Sequence, residues 1–314
     1  MDPLSAALSQ RPVLILDGAL ATELERRGCH IADPLWSAKI LLEQPELIQA
    51  IHYEYFEAGA DVAITASYQA TIPGFMRRGL SEREAVELIQ RSVTLAREAR
   101  DRFWSLQGLA SGRMRPLVAA SIGPYGAFLH DGSEYRGNYG LSAKALKEFH
   151  RPRMAALLAA APDLLACETI PCLEEACTLT ELLEEFPGAV AYMSFSARDG
   201  GHTAQGEPIA QAVAAVASHP QVVAVGVNCT APRFIQELIG HIRSVTDKPI
   251  VVYPNSGETY DPLRQSWIGR SESACLATYA PDWFHAGARL IGGCCRTSPQ
   301  DIKALAAWAR SSFQ

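Results

Sequence analysis

Short apolar, β-branched runs alternate along the whole chain with longer stretches in which apolar residues recur every three or four positions. The first pattern fits strands buried on both faces, and the second fits helices with one buried face. Eight runs read as strands: Val13 to Asp17, Val62 to Ser67, Leu117 to Ser121, Leu164 to Glu168, Val190 to Phe195, Val222 to Asn228, Ile250 to Tyr253 and Leu290 to Gly293. A helical pattern follows each of them. In the last, Ser298-Pro299 supplies a cap and a first-turn proline, and Ile302, Leu305 and Trp308 then fall on one face.

Strands separated by helices pair in parallel through right-handed crossovers. Eight units with no break in rhythm predict closure into a single (β/α)8 TIM barrel, and 314 residues suit one such domain over 1–314. The structural rival is an open, doubly wound sheet. Against it, the first strand runs into Asp17-Gly-Ala-Leu-Ala21 instead of a Gly-x-Gly-x-x-Gly turn, and no Walker-type phosphate loop is present. The loops after strands one, three and seven are long and carry Trp36, Tyr125, Phe128, Tyr135, Tyr139, Tyr260 and Trp267. In a barrel they share the carboxyl-terminal face, where reactions take place, while return loops such as Ala58 to Asp61 and Ala286 to Ala288 are short.

Charge narrows the partners. The formal net charge is -6, with acidic and basic residues scattered throughout. Neither nucleic acid nor an anionic membrane is expected to bind such a surface, which favours small-molecule chemistry. No apolar run approaches the roughly 18 residues of a membrane span, and Met1 to Pro12 lacks the basic and apolar segments of a secretion signal, so a cytoplasmic protein is expected. In that compartment the eight cysteines are expected to be free thiols or metal ligands.

Three of those cysteines stand at strand ends: Cys229 after strand six, and the vicinal pair Cys294-Cys295 after strand eight. Around a barrel rim their sulfurs can converge on one ion, with Gly292 and Gly293 letting the backbone turn sharply beside them. A catalytic zinc commonly keeps three protein ligands and one open position, so Cys229, Cys294 and Cys295 are the candidate zinc ligands. Buried free cysteine is the bland alternative. Cys29, Cys167, Cys172, Cys177 and Cys275 are not expected to be ligands, and the histidines lack His-x-His or His-Glu-x-x-His spacing. Three thiolates make zinc a weak Lewis acid but a good holder of a substrate thiolate, which predicts alkyl transfer to sulfur.

Asp17 and Glu168 also stand at strand ends. Acid or base work, ammonium binding and helix capping are all open to them. An attacking thiolate needs no further base, so ammonium recognition of an amino acid is preferred, with the backbone N–H groups of Gly18 and Ala19 holding its carboxylate. A methyl donor able to alkylate a thiolate without activation is a cation such as a sulfonium, for which the aromatic faces of Trp36, Tyr68 and Tyr135 are candidates. Two other readings stay open on the residues alone. One is a phosphate-binding barrel isomerase or aldolase using the glycines after strand eight; the other is a non-catalytic zinc store.

Seven segments together resemble the homocysteine S-methyltransferase family: Asp17 to Leu24, Ala66 to Thr71, Ser121 to Ala127, Cys167 to Pro171, Gly226 to Cys229, Tyr253 to Glu258 and Gly292 to Thr297. The likeness runs from Val13 to the last helix, and Asp131-Gly-Ser-Glu-Tyr-Arg-Gly137 brings it nearest the short type that uses S-methylmethionine or S-adenosylmethionine. The resemblance implies zinc on Cys229, Cys294 and Cys295, the homocysteine amino group on Asp17 and Glu168, and methionine as product. The similar betaine-dependent branch has a tyrosine directly after the strand-four glutamate; Thr169 stands there in this chain, which disfavours betaine.

Overall fold

A computed structural model describes residues 1–31, 33, 35–261, 266–268 and 276–313. The described strands are β1 Leu14–Ile15, β2 Val62–Ile64, β3 Leu117–Ile122, β4 Leu164–Ile170, β5 Ala191–Phe195, β6 Val222–Asn228, β7 Ile250–Tyr253, β8 Thr259–Asp261, β9 Ser266–Ile268 and β10 Ala288–Ile291. Eight of them form one parallel sheet in the order β1-β10-β7-β6-β5-β4-β3-β2. A parallel bridge from Leu16 to Val62 and a hydrogen bond from Asp17 N–H to the Val62 carbonyl (3.0 Å) close the β1/β2 seam. The result is the (β/α)8 barrel that the alternation predicts.

Two strand ends differ from expectation. β1 stops pairing as a strand before Asp17, and β10 starts at Ala288 and stops before Gly292. Beyond those points backbone and side chains take over the seam: Gly293 N–H donates to the Asp17 carbonyl (3.1 Å), and Asp17 Oδ2 accepts from Ile64 N–H (2.9 Å). The antiparallel pair β8/β9, inside the long loop after β7, lacks a strong periodic signal and was not foreseen. Tyr260 and Trp267 lie on it, but their side chains fall outside the described residues.

Alternation along the strands divides the core into two layers. Leu14, Leu16, Ala119, Leu164, Ala166, Ala224, Val251 and Leu290 fill the barrel interior, whereas Ile15, Val118, Ala120, Leu165 and Cys167 face the surrounding helices. Leu4 and Ala7 of the short helix Pro3–Leu8 join the interior cluster and plug the barrel's amino-terminal end. That helix is capped by Asp2, whose Oδ1 accepts from Ser5 N–H (2.8 Å). The last helix, Pro299–Ser312, begins as its sequence suggests, with Ser298 and Asp301 in a reciprocal capping box and Ile302 and Leu305 buried. Among the described residues, no helix is long and apolar enough to cross a membrane.

One close approach fixes the register of β6 against β7. A Cβ on Gly226 would lie 1.8 Å from the Val251 carbonyl oxygen, a backbone atom that cannot step aside. Gly226→Ala is therefore expected to lower unfolding free energy by about 2 kcal/mol or more. In the exposed part of the helix Pro232–Arg243, a Cβ on Gly240 meets nothing within 4 Å, so Gly240→Ala should stabilise by about 0.5–1 kcal/mol. Urea unfolding of both variants checks the pair, and a Gly226→Ala midpoint equal to wild type would contradict the packing argument.

Candidate metal centre and substrate pocket

The carboxyl-terminal ends of the strands open onto a pocket lined by Asp17, Gly18, Ala19, Trp36, Tyr68, Tyr135, Glu168, Cys229, Cys294 and Cys295. Every residue singled out from the sequence for this site is thus brought to one cavity. Glu25, Gln69, His130, Glu134, Thr169 and Tyr253 join them. Four carboxylate side chains and three thiols face this space, and among the described lining residues there is no Lys or Arg. Such a cavity is built to receive positive charge.

Cys229 and Cys295 Sγ atoms lie 3.6 Å apart, and those of Cys294 and Cys295 lie 4.0 Å apart. All three sulfurs fall within 4.8 Å of one another. A tetrahedral zinc with bonds of about 2.3 Å requires sulfur separations of about 3.8 Å, close to these two separations, so the trio could hold a metal ion. Its electrostatics agree. Hydrogen bonds from Cys294 and Cys295 draw the Cys229 thiol well below its ordinary value, and the same contacts push the other two well above theirs. Close-packed sulfurs resist carrying three negative charges until a cation is placed among them. Cys29, Cys167 and Cys172 are buried elsewhere, and Cys177 is half-buried outside the pocket; Cys275 lies outside the described residues.

The backbone around the trio is held in uncommon conformations. Cys229 has φ 47°, Thr169 φ 58° and Arg296 φ 70°, all in the left-handed region that costs non-glycine residues of order 1–3 kcal/mol. Hydrogen bonds lock these turns. Cys229 N–H donates to the Tyr253 carbonyl (3.1 Å), Cys294 N–H to the Pro254 carbonyl (2.8 Å), and Ser256 N–H to the Cys295 carbonyl (3.1 Å). Gly292 and Gly293 serve close approach instead of the sharp turn expected of them: neither has positive φ, and a Cβ would lie 2.6 Å from Leu16 Cβ or 2.4 Å from Thr297 Oγ1 respectively.

Glu168 is placed by an irregularity in β4, whose pairing with β5 shifts register between Cys167 and Ile170. Asn228 secures the shift, because its Oδ1 accepts from Thr169 N–H (2.8 Å) and its Nδ2 donates to Thr169 Oγ1 (2.7 Å). Glu168 is 6% exposed, and its carboxylate accepts hydrogen bonds from Ser121 Oγ and from Tyr253 hydroxyl, the latter at 3.0 Å. Burial raises its pKa to about 7 despite those bonds. Asp17, 3% exposed, is raised well above the usual carboxylate range by burial and by the charge of Glu168. Each carboxylate would be stabilised by a cation arriving between them. Ala19 N–H already donates to Thr297 Oγ1 (3.3 Å), which leaves Gly18 N–H as the amide better placed to meet a ligand.

Trp36 and Tyr68 meet edge to face, ring centroids 6.2 Å apart, and the Tyr135 hydroxyl stands 3.2 Å from Cys229 Sγ. Tyr125, Phe128 and Tyr139, on the same long loop as Tyr135, pack instead into a cluster with Phe149. Sequence reasoning missed Ser121, Tyr253, Asn228, Gln69 and Glu134. Tyr253 and Asn228 end strands and Ser121 stands one residue from the end of β3, a positional signal that would have found them; Gln69 and Glu134 lie in loops and are marked only by the resemblance segments Ala66 to Thr71 and Asp131 to Gly137.

A parallel barrel with three converging thiols that could hold a metal ion, and buried carboxylates beside them at its carboxyl-terminal mouth, has the outline of an enzyme active site. Residues 14–309 match the family model described as homocysteine S-methyltransferase. The chain is 56% identical to "Homocysteine S-methyltransferase YbgG" of Bacillus subtilis (strain 168), covering 99% of each chain. It is 53% identical to the homocysteine S-methyltransferase of Escherichia coli (strain K12), covering 98% of each. The metallated crystal form of the homocysteine methyltransferase MmuM from Escherichia coli superposes with a TM-score of 0.88 at 52% identity, over 98% of this chain and 99% of that one. This chain belongs to the homocysteine S-methyltransferase family.

Cys294→Ser is expected to drop bound divalent metal from about one ion per chain to a small fraction, since one hard oxygen replaces a soft ligand. Elemental analysis of reduced protein reads this directly; undiminished stoichiometry would remove Cys294 from the ligand set.

Proposed function

We propose that this protein transfers a methyl group from a sulfonium donor, S-methylmethionine or S-adenosylmethionine, to the sulfur of homocysteine, with zinc held by Cys229, Cys294 and Cys295. The observation that carries this reading is the thiol trio beside two buried carboxylates in a pocket whose described lining has no Lys or Arg. Family membership points to the same acceptor and the same reaction class. When bound, zinc supplies a positive centre that lowers a thiol's pKa at neutral pH, while three thiolate ligands keep the bound sulfur nucleophilic.

The protein's own groups do the rest. Asp17 and Glu168 take the homocysteine ammonium between them, and Gly18 N–H meets its carboxylate, so that the sulfur is aimed at the thiol trio. Trp36, Tyr68 and Tyr135 offer aromatic faces to the sulfonium. The homocysteine thiol gives up its proton to solvent, its sulfur forms a new bond to the methyl carbon, and the donor's methyl–sulfur bond breaks with its electron pair kept by a neutral thioether. With S-methylmethionine as donor, both products are methionine. Opposite charges are consumed in this step, so a cavity that excludes water favours it. Reduced thiols fit a cytoplasmic setting.

Removing the charge of Glu168 isolates its role. Glu168→Gln should raise the KM for homocysteine about tenfold to a hundredfold, the loss expected of one charge-assisted hydrogen bond, with a smaller effect on kcat. Methionine carries the same ammonium and no thiol, so its binding isolates the carboxylate. The free pocket holds Glu168 near pKa 7, so methionine binding should tighten as pH rises through about 7, when the carboxylate ionises, and level off above. In Glu168→Gln that dependence should weaken to what the other raised carboxylates of the pocket, Asp17 and Glu134, contribute. An unchanged homocysteine KM together with an unchanged pH profile would overturn the ammonium role.

A further inference from the structure

Of the buried side-chain atoms without a hydrogen-bond partner among the described residues, two are acceptors on pocket-lining residues: Gln69 Oε1 and Glu134 Oε2. Neither is needed for the homocysteine site. Gln69 is 4% exposed and its orientation is fixed, because its Nε2 donates to the Ala127 carbonyl at 2.8 Å. Glu134 is anchored through its backbone. Its carbonyl accepts from Ser196 Oγ at 3.0 Å, and its N–H packs so closely on Gly126 that a Cβ there would lie 2.4 Å away. The Gln69 side chain and the Glu134 backbone are therefore both fixed against the short helix Tyr125–Leu129.

An orphaned carboxylate oxygen and an orphaned amide oxygen in one cavity call for a ligand with hydrogen-bond donors and positive charge. A sulfonium has charge but no N–H or O–H. An ammonium has both, with three donors to share. Burial pushes Glu134 up to about 7 in the free protein, as expected for a carboxylate awaiting a cation. The methyl donor proposed above carries two positive groups, its sulfonium and, three carbons away, its α-ammonium. Trp36 and Tyr68 line the same pocket and suit the former.

We propose that Glu134 and Gln69 form the site for the α-ammonium of the methyl donor, so that the enzyme selects sulfonium amino acids over simple sulfonium compounds. This rests on the methyl-transfer reading and deepens it. Glu134 and Gln69 act here as specificity-determining residues: they touch the end of the donor remote from the methyl group and fix the direction from which the sulfonium approaches.

The test uses the zinc-loaded enzyme with two donors, S-methylmethionine and its des-amino analogue (3-carboxypropyl)dimethylsulfonium. The wild-type enzyme is expected to prefer S-methylmethionine in kcat/KM by about tenfold to a hundredfold, the range for a charge-assisted hydrogen bond. Glu134→Gln should erase most of that preference by raising the KM for S-methylmethionine, while the KM for homocysteine stays at its wild-type value. Gln69→Met, which keeps the shape but removes the acceptor together with the donor to the Ala127 carbonyl, should reduce the preference in the same direction and carries the test if Glu134→Gln fails to fold. A preference untouched in both variants, or a wild-type enzyme indifferent to the amino group, overturns the donor-ammonium site alone. A wild-type enzyme that methylates homocysteine from neither sulfonium sinks the methyl-transfer reading, and this site with it.

Discussion

A concentration of buried acidic groups and thiols in one pocket is the condition around which this structure is arranged. Asp17, Glu168, Glu25 and Glu134 share the pocket with three thiols, with no Lys or Arg among its described lining residues. In a low-dielectric site such groups repel one another and lose hydration. The protein answers by holding protons until cations arrive: Glu168 and Glu134 sit near pKa 7, and Asp17 higher than its ordinary range. The divalent ion, ammonium and sulfonium proposed above would complement it, so the components of the proposed reaction would complete the site's electrostatics. This links the chemistry to the fold, since an array so unfavourable when empty needs rigid elements to hold it.

The barrel supplies that rigidity at its strand ends. Cys229, Thr169 and Arg296 adopt left-handed backbone conformations, as do Trp36 and His130 on the pocket wall. The strain is balanced by packing and hydrogen bonds made elsewhere. Asn228 spans from β6 to the irregular end of β4, and the Asp17 side chain completes the β1/β2 seam, where regular strand pairing is shortest. Asp17 is therefore a structural closure as well as a candidate ligand for ammonium, and its replacement would disturb both.

Much of this was legible in the chain. Eight apolar runs with helical patterns between them gave the barrel, and three cysteines plus two acids at run ends marked the mouth, because in a parallel barrel every strand end faces the same space. Boundaries were less legible, since the last residues of β1 and β10 exchange regular pairing for hydrogen bonds that depend on a third strand. The plug formed by Leu4 and Ala7 is not legible in the sequence, because a helix of six residues is too short to show a period. Gln69 and Glu134 escaped for a different reason. An unpaired acceptor is a property of its surroundings, and nothing in the residue type announces it. Of the loop aromatics, Trp36 and Tyr135 line the pocket while Tyr125, Phe128 and Tyr139 pack on Phe149, a division that sequence alone does not draw.

In the proposed reaction Cys229, Cys294 and Cys295 would hold a zinc ion and leave one position for the sulfur of homocysteine. X-ray absorption at the zinc edge, recorded on the reduced, zinc-loaded protein before and after adding homocysteine, measures this most directly. The account predicts three sulfur scatterers at about 2.3 Å rising to four on addition. A first shell dominated by nitrogen or oxygen, or a sulfur count unchanged by homocysteine, would contradict it.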